Sequence, residues 1–142
     1  MLIGDKGYID GLHRKAAGLR RVHFLPPVST TELASFTNQF DVGVYSLPPT
    51  NFNNLHALPN KFFEFIQARL AVVISPSPEM AAIVNEYDLG VVADDFSPQK
   101  MAEAISSLTV EKIDLHKAQA HKHAFELSSE KNGELFRQIV RA

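Results

Sequence analysis

Lys61 and Glu64 are the two side chains whose type and spacing best suit chemistry. They lie in the stretch Asn51-Phe52-Asn53-Asn54-Leu55-His56-Ala57-Leu58-Pro59-Asn60-Lys61-Phe62-Phe63-Glu64. Here a polar loop enters a helix whose first turn carries a lysine. The first N–H groups of a helix have no partner within it and carry a partial positive charge, so they suit phosphate. Lys61 adds a full charge at that point. Glu64 follows three residues later, on the same helix face. Its two oxygens can each accept a hydrogen bond, as the paired hydroxyls of a ribose require. Spacing alone leaves two readings open: a nucleotide grip, or a solvated ion pair contributing about 0.2–0.5 kcal/mol. Phe62, Phe65 and Ile66 face away and are expected to anchor the helix.

Other candidates carry less. Gly4 and Gly7 form a GxxG that a strand-to-helix turn explains. His116, His121 and His123 share a predicted helix, but at spacings of five and two rather than three or four, so a solvated histidine-rich face is expected and no metal site. Asp94-Asp95 reads as a polar strand-to-helix loop. Ser75 and Ser77 have no His/Asp partners in view and are not read as nucleophiles. No cofactor is implied.

The elements that would position Lys61 and Glu64 follow from apolar patterning. Short apolar runs at Leu2-Ile3, Val22–Leu25, Val42–Tyr45, Leu70–Ile74 and Gly90–Ala93 predict strands. Helices are expected over 8–20, after a cap at Ser29 or Thr30, over 59–67, from Ser77-Pro78-Glu79 to Tyr87, and over 98–108, 110–126 and 129–141. Pro59 is placed at a first helical position. Unbroken apolar strands alternating with helices mean a parallel sheet covered on both faces. The expected fold is α/β, a Rossmann-like doubly wound parallel sheet of about five strands with extra C-terminal helices. Such sheets bind ligands beyond the carboxyl ends of their strands, which directs attention to residues 4–7, 26–28, 46–61 and 75–79.

Composition sets the outer limits. The chain has 142 residues, 45% hydrophobic and 21% charged, within the range of one folded domain. Its net charge of −2 gives no basic footprint for nucleic acid. With no cysteine, disulfides and thiolate chemistry are excluded. Neither a signal peptide nor an apolar run of about 20 residues is present, so a cytoplasmic location is expected. Met1-Leu2-Ile3-Gly4 reads as the end of a strand, which predicts a chain that starts inside an element.

Against this background, Pro59-Asn60-Lys61-Phe62-Phe63-Glu64, followed by an apolar strand and Ser75, resembles the Pro-Asn-Lys-x-x-Glu signature of retaining GT-B glycosyltransferases of the large group-1 family. Leu2-Ile3-Gly4-Asp5, Val22-His23-Phe24-Leu25-Pro26-Pro27-Val28, Glu32-Leu33, Asp41-Val42-Gly43-Val44 and Leu89-Gly90-Val91-Val92 extend the likeness in order over residues 2 to 108. The resemblance implies the C-terminal, donor-binding domain of such an enzyme, with a UDP or GDP sugar as partner. Polysaccharide or glycoconjugate synthesis would be its setting. Lys61 would meet the pyrophosphate and Glu64 the ribose, while the backbone of Ala57, Leu58, Pro59, Asn60 and Lys61 would lie along sugar and phosphate. Pro27 and Val28 would edge the base. Residues 1–142 would then be one nucleotide-sugar-binding domain, N-terminally truncated, inactive alone and lacking the acceptor domain. Any peripheral membrane association would run through that missing half.

The sequence also departs from the family. Many members carry Glu eight residues before the ribose Glu, near the transferred sugar; His56 stands there as a neutral or cationic donor, and is the catalytic candidate. Pro26 replaces a usual Gly, and Pro27 has no N–H to offer a base. Arg69 occupies a helix-ending Gly site, where a left-handed backbone costs a residue with a Cβ roughly 1 kcal/mol. Two other readings fit the architecture: a nucleotide-sugar epimerase domain, or a non-enzymatic interaction module such as a receiver. Receivers need acids at the ends of the first and third strands, whereas Asp41 begins its strand.

Overall fold

The computed structural model describes residues 5–141. It divides into two compact units, Met1–Leu33 and Ala34–Ala142. In the first, helix α1 (Lys6–Ala16) starts at Asp5, whose carboxylate accepts a hydrogen bond from the Tyr8 N–H at 3.0 Å. The chain leaves the helix through Gly18, at φ 86°, where the absent Cβ removes the steric penalty. His13 and Phe24 rings lie 4.1 Å apart. The strand expected at Val22–Leu25 is not formed. Val22, Phe24 and Leu25 are 39–47% exposed, and their backbone enters no ladder among the described residues. An apolar run becomes a strand only when a neighbour takes its N–H and C=O groups, and Pro26-Pro27 then denies two donors. The Leu2-Ile3 strand and Gly4 of the GxxG lie outside the described residues.

The second unit holds the core. Helix α2 (Leu33–Thr37) leads to strand β1 (Val42–Tyr45). A one-turn helix α3 (Phe52–Leu55) and helix α4 (Asn60–Gln67) precede strand β2 (Ala71–Ile74). Helix α5 (Pro78–Tyr87), strand β3 (Gly90–Val92) and helices α6 (Pro98–Ser106), α7 (Val110–His123) and α8 (Ser129–Arg141) complete it. The sheet is parallel, in the order β1-β2-β3, with Val44 opposite Val73 and Val73 opposite Val91. Three strands therefore stand among the described residues where about five were expected.

Every residue of β2 is buried, and its side chains alternate between two cores. Val72 and Ile74 meet Phe62 and Ile66 of α4, Met80 and Val84 of α5, and Ala120 of α7. Val73 meets Ala93 and, from α6, Met101 and Ala104. Both faces are covered, which explains why β2 reads as unbroken apolar sequence. Gly43 in β1 lets α4 lie close, since a Cβ there would overlap the Phe65 ring. Arg69 takes the left-handed conformation expected of it, at φ 63°. No helix among the described residues is long and apolar enough to cross a membrane.

Candidate functional site

Parallel strands place their carboxyl ends along one edge of the sheet, and the segments after β1 and β2 meet there. Ser75, fully buried beyond β2, accepts a hydrogen bond at Oγ from the Leu47 N–H at 3.2 Å, and its own N–H donates to the Tyr45 carbonyl. That strap fixes the root of the 46–59 loop. Further along, Asn51 caps α3 by accepting from the Asn54 N–H at 2.8 Å, and the Asn54 amide donates to Thr50 Oγ1 at 2.8 Å. The expected open loop thus contains a capped helical turn. Asn is a poor interior helix former but a good cap, which is how four residues hold this shape.

The loop delivers the chain to α4. Pro59 is the N-cap, one residue before the helical position expected for it, and it supplies no side-chain cap. Asn60 begins the helix, with the Phe62 N–H bonded to the Pro59 carbonyl at 3.0 Å. Phe62 and Ile66 are fully buried and hold α4 against the sheet. Lys61 on the outer side is exposed, and Glu64 is half-buried. Neither side chain has a hydrogen-bond or ionic partner among the described residues, and they do not pair with each other. The solvated pair that spacing allowed is not formed.

His56 closes α3, its N–H donating to the Phe52 carbonyl at 3.1 Å. The Phe52 ring, 75% exposed, lies against the imidazole at 4.5 Å between centroids. His56 Nδ1 stands 3.2 Å from Glu79 Oε1, in the first turn of α5. Ser77, the N-cap of α5, is fully buried, yet its hydroxyl neither caps the helix nor finds another partner among the described residues. His56, Ala57, Leu58, Asn60, Lys61 and Glu64 therefore share one unit and one edge. Pro27 and Val28 belong to the Met1–Leu33 unit, where Pro27 is exposed and Val28 half-buried.

Sequence reading missed Glu79 and Phe52. In the sequence Glu79 stands out only as part of the Ser77-Pro78-Glu79 helix start, and nothing in a linear pattern links it to a histidine 23 residues earlier. The histidines of α7 need a correction: His116 is buried, with Nδ1 2.9 Å from the Asp88 carbonyl oxygen. His121 accepts from Arg69 Nε at 3.3 Å, and His123 lies 3.4 Å from Glu126. Lys117 donates to Asp41 at 2.9 Å, just before β1. These contacts set α7 along the amino-terminal edge of the sheet, away from the site, where His116 serves packing rather than solvation. Asp95 accepts from the Ser97 N–H at 2.7 Å, and Asp94 pairs with Lys100 at 3.1 Å. Both acids of that loop are thereby engaged at the start of α6.

Compared with known proteins, residues 1–110 match the profile of the family described as Glycosyl transferases group 1. No curated protein and no solved structure matches the chain.

Proposed function

The chain belongs to the group 1 glycosyl transferases, and from that premise we propose that it holds the nucleoside-diphosphate sugar whose glycosyl group is transferred. One observation carries the reading: α4 begins at the carboxyl edge of the sheet without a side-chain cap, with Lys61 and Glu64 both unpartnered among the described residues. Pairing at this spacing contributes only about 0.2–0.5 kcal/mol, so a ligand can engage both side chains without giving up a strong ion pair. In this reading Lys61 and the N–H groups at the start of α4 take the diphosphate, and Glu64 takes the ribose hydroxyls. The backbone from Ala57 to Lys61 follows the sugar and phosphate, with His56 at the sugar end.

The chemistry follows from the leaving group. Breaking the bond between sugar and diphosphate leaves negative charge on the phosphate, and Lys61 with the helix start stabilises it as it develops. Glu64 works differently, by fixing the nucleoside so that the sugar is presented in one place. Transfer with retained anomeric configuration, and UDP or GDP as carrier, are part of the same proposal.

Chemical-shift perturbation on the 142-residue chain with UDP, GDP and ADP tests the assignment. Shifts are expected at residues 57–64. Binding with shifts clustered elsewhere would overturn the site, and no binding of any of the three would overturn the donor reading.

A further inference from the structure

The contact between His56 and Glu79 fixes more than a position. A carboxylate can only accept, so the hydrogen bond from Nδ1 to Glu79 Oε1, at 3.2 Å, requires the proton to be on Nδ1. A neutral imidazole has a single N–H, and its other nitrogen is then a bare acceptor. Glu79 sits in the first turn of α5, where the helix dipole favours its negative charge. Phe52 lies against the imidazole at 4.5 Å and 36°, restricting ring rotation. Carboxylate and phenyl ring approach the same imidazole from two different elements, a constraint that an isolated surface pair would lack.

We propose that Glu79 is a positioning residue that holds His56 as its Nδ1–H tautomer, so that Nε2 accepts a hydrogen bond from a hydroxyl of the donor's sugar. The inference rests on the donor site proposed above and specifies its sugar end. It reverses the donor role expected for His56 from sequence. Sugar hydroxyls both donate and accept, and with Nε2 bare only the donating arrangement fits. Free imidazole prefers its proton on Nε2, so without Glu79 the ring would present a donor at that nitrogen.

Long-range proton–nitrogen spectra of the full chain, in alkaline buffer, read the tautomer directly. The chain has six histidines, and the other five serve as internal references. His56 is expected as the Nδ1–H form in the native protein and in Glu79→Gln, whose amide oxygen still accepts. Glu79→Ala is expected to convert it to the Nε2–H form. Glu79→Lys, which opposes Nδ1 with a donor, should do the same even where Glu79→Ala proves too unstable to study. An Nε2–H form in the native chain, or a tautomer unmoved by both substitutions, overturns the positioning role. The second arm compares UDP-, GDP- and ADP-glucose with the corresponding diphosphates. For the nucleotide that binds, His56→Ala, which removes the imidazole altogether, should reduce affinity for the glucose form by about 3–10-fold and leave the diphosphate unchanged, the size of one hydrogen bond. Equal loss for both, or none, overturns the sugar contact. Failure of every nucleotide to bind removes the donor reading and the sugar contact together, while the tautomer spectra still decide whether Glu79 sets the ring.

Discussion

Helices α4 and α6 begin alike and end up chemically opposite. Each starts at the carboxyl edge of the same parallel sheet and carries a lysine in its first turn with a glutamate three residues on: Lys61 and Glu64 in α4, Lys100 and Glu103 in α6. At α6 both the cap and the lysine have partners. Ser97 caps the helix through the Lys100 N–H at 3.2 Å, and Asp95 takes the Ser97 N–H. The Lys100 ammonium bonds Glu103 at 2.8 Å and Asp94 at 3.1 Å, and hydrogen bonding to Glu103 first, then Asp94, pushes its pKa above the usual lysine range. At α4 no side chain among the described residues caps the helix, and lysine and glutamate stand apart. The same spacing therefore yields a closed ion-pair network in one place and an open, charged helix start in the other. The difference lies in the residues before the helix: Asp94, Asp95 and Ser97 bring acceptors to α6, whereas Leu58 and Pro59 bring none to α4.

The comparison requires that α4 be open at its start without being loosely held. Phe62→Ala, which empties a fully buried ring site, should cost about 3–5 kcal/mol in denaturant unfolding. Met101→Ala under α6 should fall near the lower end of about 2–5 kcal/mol. A small loss at Phe62 would mean that α4 is mobile and its open start a consequence of that. Glu64→Ala should weaken a bound ribonucleoside diphosphate by about 10–100-fold and a dideoxyribose analogue hardly at all, from the strength of hydrogen bonds to a charged group. Glu103→Ala, the same change at the closed site, should leave both affinities as they were. Equal effects in titration would erase the distinction between the two helices.

Ser97→Ala should cost about 1 kcal/mol, the value of a lost cap, measured by the same unfolding curves. The smallest effect concerns acid. The hydrogen bond from Ser97 holds the Asp95 carboxyl below its usual pKa. A folded pKa below the unfolded one means a contribution in place above the unfolded value of about 3.9, lost as pH falls through the lower folded value. Amide protection factors, which correct for the intrinsic slowing of exchange in acid, should thus fall at the start of α6 on acidification through that window, while those at the start of α4, which has no such carboxylate, should not follow. Parallel behaviour of the two would show that the acid response is global.

Sequence by itself determined what depends on neighbours along the chain. The runs at 42–45, 70–74 and 90–93 gave strands because an apolar run with helices on either side has one stable use, a doubly covered parallel sheet. Ser77-Pro78-Glu79 marked the start of α5, and the Gly-like position of Arg69 foretold its left-handed backbone. Lys61 and Glu64 were legible as a candidate site because one helical turn places them on one face. Tertiary structure decided whatever needed a partner far along the chain. Val22–Leu25 remained unpaired because a strand requires a ladder and not only a pattern. His116 became a buried link to the Asp88 carbonyl because α7 is laid along the far edge of the sheet. His56 met Glu79 only once β1 and β2 lay side by side, bringing the loop after one and the helix after the other to a common edge. Spacing fixes which face a side chain can use, but whether a charge there is capped, paired or left open depends on groups that only the folded chain brings within hydrogen-bond reach.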